Sequence, residues 1–113
     1  MKAIVYNEYS PEDDFAKILK VQEVDDPKPK SDEVVFQVKA AALNYNDIWG
    51  MRGNPVPVPL PHVSGSDAAG DVIAVGEDVK NIKVGDRVVS HSNMSCRVCK
   101  ACTDGREFDC TKR

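Results

Sequence analysis

Four cysteines lie in the last 18 residues of this 113-residue chain, and the residues before them contain none. They follow the pattern Cys-x2-Cys-x2-Cys-x7-Cys, at Cys96, Cys99, Cys102 and Cys110. Four thiolates this close in sequence can surround one tetrahedral ion, and a complete shell of four cysteines is typical of structural zinc sites. We therefore predict a structural zinc ion that holds together a small lobe at residues 91–113.

Two other uses of four cysteines compete with this interpretation. Two disulfides would suit a small secreted chain, but the opening MKAIVYNEYS has no apolar segment long enough for a signal peptide. A bacterial iron-sulfur motif also begins Cys-x2-Cys-x2-Cys but continues with a three-residue gap and Cys-Pro. Here the gap is seven residues and Thr111 follows, so the spacing favours zinc.

Length and composition indicate one globular domain at most. Apolar residues make up 42% of the chain and charged residues 29%, as in ordinary globular proteins. The net charge of -3 gives no basic face for nucleic acid, and no apolar run approaches the ~20 residues needed to cross a bilayer. We expect neither a nucleic-acid nor a membrane partner, and we expect a cytoplasmic protein.

Short β-branched segments separated by glycine and proline predict a mainly β fold. Strands are expected at residues 2–6, 17–24, 34–41, 71–76 and 86–90, the first two as a hairpin. Residues 44–51 can form about two turns of helix, and four prolines at positions 55, 57, 59 and 61 predict an extended crossing. This pattern is typical of a small barrel-like β fold with short helices.

The stretch from Gly65 to Val88, GSDAAGDVIAVGEDVKNIKVGDRV, precedes the cysteine cluster. Together with that cluster, the opening MKAIVY and the segment VKAAALNYND, it resembles the zinc-type alcohol dehydrogenases of the medium-chain dehydrogenase/reductase superfamily. The resemblance implies an incomplete GroES-like domain over residues 1–113, a partial β-barrel that in the family accompanies a Rossmann domain binding NAD(H) or NADP(H). This chain has no G-x-G-x-x-G motif, so that domain is absent from it, and we interpret its glycines as scaffold.

The resemblance also shows where the chain departs from the family. The catalytic zinc of alcohol dehydrogenases is held by two cysteines and one histidine. The matching positions are Asn44, for the first cysteine, and Ser66-Asp67, for the family's His-Glu pair. Neither asparagine nor serine is a good zinc ligand, so we predict no catalytic zinc. For His62 and His91, a surface or packing role is favoured over ligation.

Without a Lewis-acid metal, a substrate that spreads the developing charge is expected. A conjugated enone or enoyl thioester does so through an enolate, which hydrogen-bond donors can stabilise. The pattern resembles zinc-independent quinone oxidoreductases and enoyl- or crotonyl-CoA reductases, with a small-molecule substrate and NAD(P)H as cofactor. On this basis Asn44, Asn46 and Asp67 are candidate catalytic residues, and Tyr45, Trp49 and Ser66 candidate pocket residues.

Each candidate also has a structural alternative. Asn44 and Asn46 can cap the helix that follows them, and Asp47 can sit in its first turn for dipole reasons. Tyr45 and Trp49, four residues apart, can simply pack on each other. Asp67 can serve as a hydrogen-bond partner rather than as an acid.

Two hypotheses for the whole chain remain. It is either the N-terminal catalytic-domain fragment of a reductase, inactive by itself, or a free-standing zinc-stabilised β module that binds other proteins. Exposed strand edges would favour self-association into a homo-oligomer.

Overall fold

The computed structural model describes residues 1–55 and 57–112; Val56, in the proline-rich segment, and Arg113, the last residue of the predicted lobe, lie outside them. The described part forms six strands, which are β1 (Lys2–Tyr6), β2 (Lys20–Glu23), β3 (Val34–Ala42), β4 (His62–Val63), β5 (Asp67–Val75) and β6 (Arg87–Val89). Its helices are α1 (Phe15–Ile18), α2 (Tyr45–Arg52) and α3 (Lys100–Thr103), with a 3-10 helix at Glu107–Asp109. This architecture confirms the mainly β fold with short helices. No helix of the described residues is both long and apolar enough to cross a bilayer.

The first sheet has the strand order β2-β1-β4, with both pairs antiparallel. The predicted hairpin of the first two strands is present, but its second strand begins later than expected. Lys17 and Ile18 belong to α1 instead. The reason is that this single helical turn buries Ile18 against Tyr6 and Met51, which an extended chain starting at Lys17 would not do.

The second sheet has the order β3-β5-β6, also antiparallel, and its long β3-β5 ladder carries two irregularities in register. β5 begins at Asp67, four residues before the predicted start. The ladder ends with Ala42 opposite Asp67. The sheet therefore brings the end of β3, just before α2, to the start of β5.

Two glycines of the Gly65–Val88 stretch let backbone segments approach closely. A Cβ on Gly70 would lie 2.0 Å from the carbonyl oxygen of Gln37, and one on Gly76 would lie 2.0 Å from that of Lys30. Gly65 and Gly85 instead have φ of 102° and 93°, which strain any side-chain-bearing residue. These glycines are scaffold residues, as predicted.

The hydrophobic core joins the first sheet to α1 and α2. Tyr6, Ile18 and Met51 are buried there, and Tyr9, Phe15, Leu19, Ile48 and Val58 pack around them. The backbone N–H of Ser10 donates to the carbonyl of Met51 at 2.8 Å. Burial of this apolar surface, which is the main driving force of folding, fixes α2 against β1 and so positions the residues at the start of α2.

Candidate active site and metal centre

Helix α2 begins at an asparagine and ends at a glycine, as helix-capping preferences dictate. Asn44 occupies the N-cap with an extended backbone, and Gly53 closes the helix at φ 70°. The backbone N–H of Asn44 donates to Oδ2 of Asp47 at 2.8 Å. A carboxylate in the first turn also complements the positive end of the helix dipole. Asn44 therefore occupies the N-cap position of α2 that the capping alternative predicts.

The side chain of Asn44 has a different partner. Its Nδ2 donates to Oδ2 of Asp67 at 2.6 Å, across 23 residues of sequence. The pairing of Ala42 with Asp67 at the end of the β3-β5 ladder brings the two side chains together. The structure thus joins two of the three candidate catalytic residues in one hydrogen bond, whose carboxylate acceptor makes it stronger than a neutral pair.

Asp47 connects α2 to the loop between β4 and β5. While its Oδ2 accepts from Asn44, its Oδ1 accepts the backbone N–H of Gly65 at 3.0 Å and the hydroxyl of Ser64 at 3.4 Å. The sequence indicated only a dipole role for Asp47, because nothing local indicates a contact 18 residues away. The carboxylate therefore also fixes where Ser66 lies relative to the start of α2.

A cavity of about 190 Å³ lies between the start of α2, β4 and the loop after it. It contains two of the predicted site residues, Asn46 and Ser66, both exposed to solvent. Its wall is rich in hydroxyl, amide and imidazole groups. The residues lining it are Tyr6, Asn46, Asp47, Gly50, Val58, His62, Ser64, Gly65, Ser66, Ser92 and Asn93.

Asp67 is not among the residues of this cavity and instead lines a separate depression of about 350 Å³ on the second sheet. Small side chains of β3 and β5, including Ala40, Ala42 and Ala69, form its floor with Val89. The predicted catalytic set is thus distributed. Asn46 lies on the cavity wall, while Asp67 lines the second depression and accepts a hydrogen bond from Asn44.

Tyr45 and Trp49 pack on each other on the outer face of α2. Their ring centroids are 5.5 Å apart in an edge-to-face arrangement, and the guanidinium of Arg52 lies 5.9 Å from the Tyr45 centroid. The two side chains are 61% and 43% exposed. Neither is among the described residues of the cavity wall. The structure therefore does not bring them together with Asn46 and Ser66, and their geometry is that of the packing alternative.

The two histidines lie in different surroundings. His62 is half-buried in β4, and its ring centroid is 5.4 Å from that of Tyr6. It packs as the sequence suggested, but it also lines the cavity. His91 is exposed, and its Nδ1 accepts the backbone N–H of Asn93 at 3.1 Å.

Tyr6 is a residue of this cavity that sequence reasoning missed. It lies in an apolar strand segment that is typical of core, and its side chain is indeed only 1% exposed. Burial, followed by the nearby Tyr9 and Asp47, raises the pKa of its phenol. Only the three-dimensional packing shows that it also borders the cavity.

The four cysteines converge as the spacing predicts. Their sulfur atoms all lie within 4.8 Å of one another, with Cys99 and Cys102 3.4 Å apart and Cys96 and Cys102 4.0 Å apart. Zn–S bonds of about 2.3 Å in a tetrahedron imply sulfur atoms about 3.8 Å apart. All four are free cysteines, and the cluster has the size and the donor set that a zinc ion requires.

Backbone amides around the cluster favour thiolates. The N–H groups of Cys99 and Cys96 donate to the sulfurs of Cys96 and Cys110, each at 3.3 Å. Hydrogen bonding by Cys102 lowers the pKa of Cys99 to about 6, whereas burial raises the pKa of Cys102 to about 11. A bound cation would favour the thiolate form in all four.

Comparison with protein families gives a match over most of the chain. The model of the alcohol dehydrogenase GroES-like domain matches residues 30–113. This match includes α2, the Gly65–Val88 stretch and all four cysteines.

Curated relatives and solved structures point the same way. The chain is 37% identical to acryloyl-coenzyme A reductase of Sulfurisphaera tokodaii, over 83% of this chain and 28% of that protein. It is 42% identical to crotonyl-CoA carboxylase/reductase of Cereibacter sphaeroides, over 81% and 21%. A crystal structure of an NAD-dependent alcohol dehydrogenase superposes with a TM-score of 0.87 at 38% identity, over 99% of this chain and 32% of that one. The chain therefore spans less than a third of the length of these proteins.

Proposed function

Because the chain belongs to the alcohol dehydrogenase GroES-like domain family, within the medium-chain dehydrogenase/reductase superfamily, we propose that it is the catalytic-domain portion of an NAD(P)H-dependent reductase. Its substrate is a conjugated enone or enoyl thioester, reduced without a catalytic zinc ion. Residues 1–113 are then an incomplete GroES-like domain that is inactive alone. Relatives named for acryloyl- and crotonyl-CoA reduction, about three to four times as long as this chain, support this proposal.

The single observation that carries the proposal is the small polar cavity at the start of α2. Asn46 and Ser66 share its wall, while Asn44, at the position of the family's first zinc-ligating cysteine, donates to Asp67. The site thus presents amide and hydroxyl donors where the family's metal-dependent members use ligands. Donors of this kind can bind an oxygen that becomes negative during the reaction.

When bound, NAD(P)H would supply a hydride to the β-carbon of the unsaturated acyl group, and water would supply the proton that the α-carbon takes up afterwards. The electron pair of the double bond moves toward the carbonyl, so charge develops on its oxygen. Asn46 donates a hydrogen bond to that oxygen from the cavity wall. Asn44 supports this interaction from the N-terminus of α2. Asp67 holds the Asn44 amide in one orientation. At about 190 Å³, the cavity suits the reactive end of the substrate, since sites for whole drug-sized ligands measure roughly 300–1,000 Å³.

The test uses the intact protein with acryloyl-CoA or crotonyl-CoA and either NADH or NADPH. Asn46→Ala is expected to lower kcat about 100-fold, the typical cost of one lost oxyanion donor, and Asn44→Ala to lower it by a smaller factor. Asn81→Ala, at a different surface depression, is the matched control and should leave kcat unchanged. If neither asparagine variant affected hydride transfer, the proposed site would be wrong.

The same proposal includes a structural zinc ion held by Cys96, Cys99, Cys102 and Cys110 in the lobe at residues 91–113. With four protein ligands such an ion would have no open position and would take no part in the reaction. Metal analysis of the colourless intact protein should give one zinc per chain. Cys110→Ser should abolish that stoichiometry and make the lobe sensitive to proteases. A brown, iron-containing protein would contradict the assignment.

A further inference from the structure

Tyr6 combines a buried ring with a hydroxyl at the edge of the cavity. The ring belongs to the core with Ile18 and Met51, and its residue is 1% exposed. The hydroxyl oxygen lies 2.9 Å from the point that a Cβ on Gly50 would occupy, and both residues line the cavity. Because Gly50 has no side chain, the space in front of the hydroxyl stays open.

No residue in the described ranges 1–55 and 57–112 accepts a hydrogen bond from this hydroxyl. The neighbouring Tyr9 provides a contrast, because its hydroxyl donates to the carbonyl of Val58 at 2.6 Å. No buried side-chain nitrogen or oxygen atom of the described residues lacks a hydrogen-bond partner, so the Tyr6 oxygen, which has none, must open onto the cavity that it lines. A phenylalanine would fill the core at Tyr6 equally well, so the hydroxyl adds to the cavity wall a donor that the core does not need.

We propose that the Tyr6 hydroxyl donates a hydrogen bond to the carbonyl oxygen of the bound substrate, in the cavity whose wall it shares with Asn46. This inference rests on the proposed reductase function and adds a second donor to it. His62, stacked at a tilt 5.4 Å from the Tyr6 ring, restricts the ring on its cavity side. The hydroxyl keeps its proton throughout, so the interaction stabilises charge and transfers nothing.

The environment of Tyr6 suits a donor. Burial raises the pKa of the phenol above its ordinary value, so the group stays protonated throughout the neutral range. Its position in a core strand also limits its motion, and a donor that is already oriented needs no rearrangement as charge develops on the substrate.

The experiment compares Tyr6→Phe with Tyr9→Phe in the intact enzyme, measuring reduction of crotonyl-CoA together with thermal unfolding. Both variants remove one hydroxyl from the same hydrophobic core cluster and keep the ring. Tyr6→Phe should lower kcat about 100-fold, change KM little and leave the melting temperature unchanged or raised. Tyr9→Phe should lower the melting temperature and change kcat by less than about twofold, because its hydroxyl serves a structural hydrogen bond.

The outcomes separate this role from the wider proposal. If Tyr6→Phe retained the wild-type kcat while Asn46→Ala lost activity, the reductase site would stand and the role of Tyr6 would be refuted. If Tyr6→Phe lowered the melting temperature and kcat in parallel, the hydroxyl would be structural and the proposal would again fail. If the wild-type enzyme did not reduce an enoyl thioester with either nicotinamide cofactor, both proposals would fall.

Discussion

Replacing Gly70 with alanine tests how the second sheet holds the candidate site together. Gly70 is buried in β5, opposite Val38 of β3, and its φ is outside the left-handed region. From strand propensity alone, alanine at such a position should stabilise the protein by roughly 0.5–1 kcal/mol. The structure predicts the opposite sign, because the added methyl group would meet backbone.

The size of the effect follows from the geometry. The new Cβ would lie 2.0 Å from the carbonyl oxygen of Gln37, 2.7 Å from its carbonyl carbon and 2.9 Å from the Phe36 ring. Restoring ordinary contact requires the strands to separate by about 1.4 Å, which N–H···O bonds of about 2.9 Å cannot absorb. We expect the loss of about two ladder bonds at about 1 kcal/mol each and an overpacking cost of about 1–3 kcal/mol. The total is about 3–5 kcal/mol.

Chemical denaturation of the intact protein measures this loss, and hydrogen exchange of peptides from β3 and β5 locates it. Gly85→Ala is the matched control in the same region. It has φ 93° and no atom within 4 Å of the point that a Cβ would occupy, so it carries only backbone strain of about 1–2 kcal/mol. The β3-β5 ladder ends at Asp67, which holds Asn44. Separation of the strands in Gly70→Ala should therefore also lower the rate of substrate reduction. A Gly70→Ala variant as stable as wild type would refute the close-approach argument.

Two further predictions concern carboxylates. Asp47→Ala removes the acceptor for the Asn44 and Gly65 N–H groups, so the intact enzyme should lose kcat about 10-fold or more because the site is misplaced. Asp86→Ala removes a comparable contact, to the Lys83 N–H in the turn before β6, and should leave kcat unchanged. Hydrogen bonding by Arg52 lowers the pKa of Asp13. This pair should therefore stabilise the protein above the unfolded pKa of aspartate, about 3.9, and lose that effect as the pH falls through the lower folded pKa. Asp13→Asn should flatten the acid limb of a curve of stability against pH, and an unaltered limb would contradict the assignment.

Sequence reasoning succeeded where chemistry and structure depend on neighbouring residues. The cysteine spacing predicted a four-sulfur cluster, and alternation with glycine and proline punctuation predicted most strands. It failed at Lys17 and Ile18, because whether that turn is helical depends on Tyr6 and Met51, far away in the chain. It also started β5 too late, because the alanines before Gly70 have weak strand propensity and are held extended by pairing with β3.

The candidate site shows the same difference between features that depend on neighbouring residues and features that depend on distant ones. The position of Asn44 in a motif makes it a candidate, but the motif alone does not decide between a cap and a site residue. In the structure its backbone occupies the N-cap of α2 while its amide reaches Asp67, so the cap position does not use up the side chain. A choice between backbone and side-chain roles cannot be made from a one-dimensional pattern, because the two are set by different partners. The same reasoning explains why Tyr6 was missed: its ring satisfies the apolar pattern of β1 completely, and only the hydroxyl, beside Gly50, has a position that the core does not require.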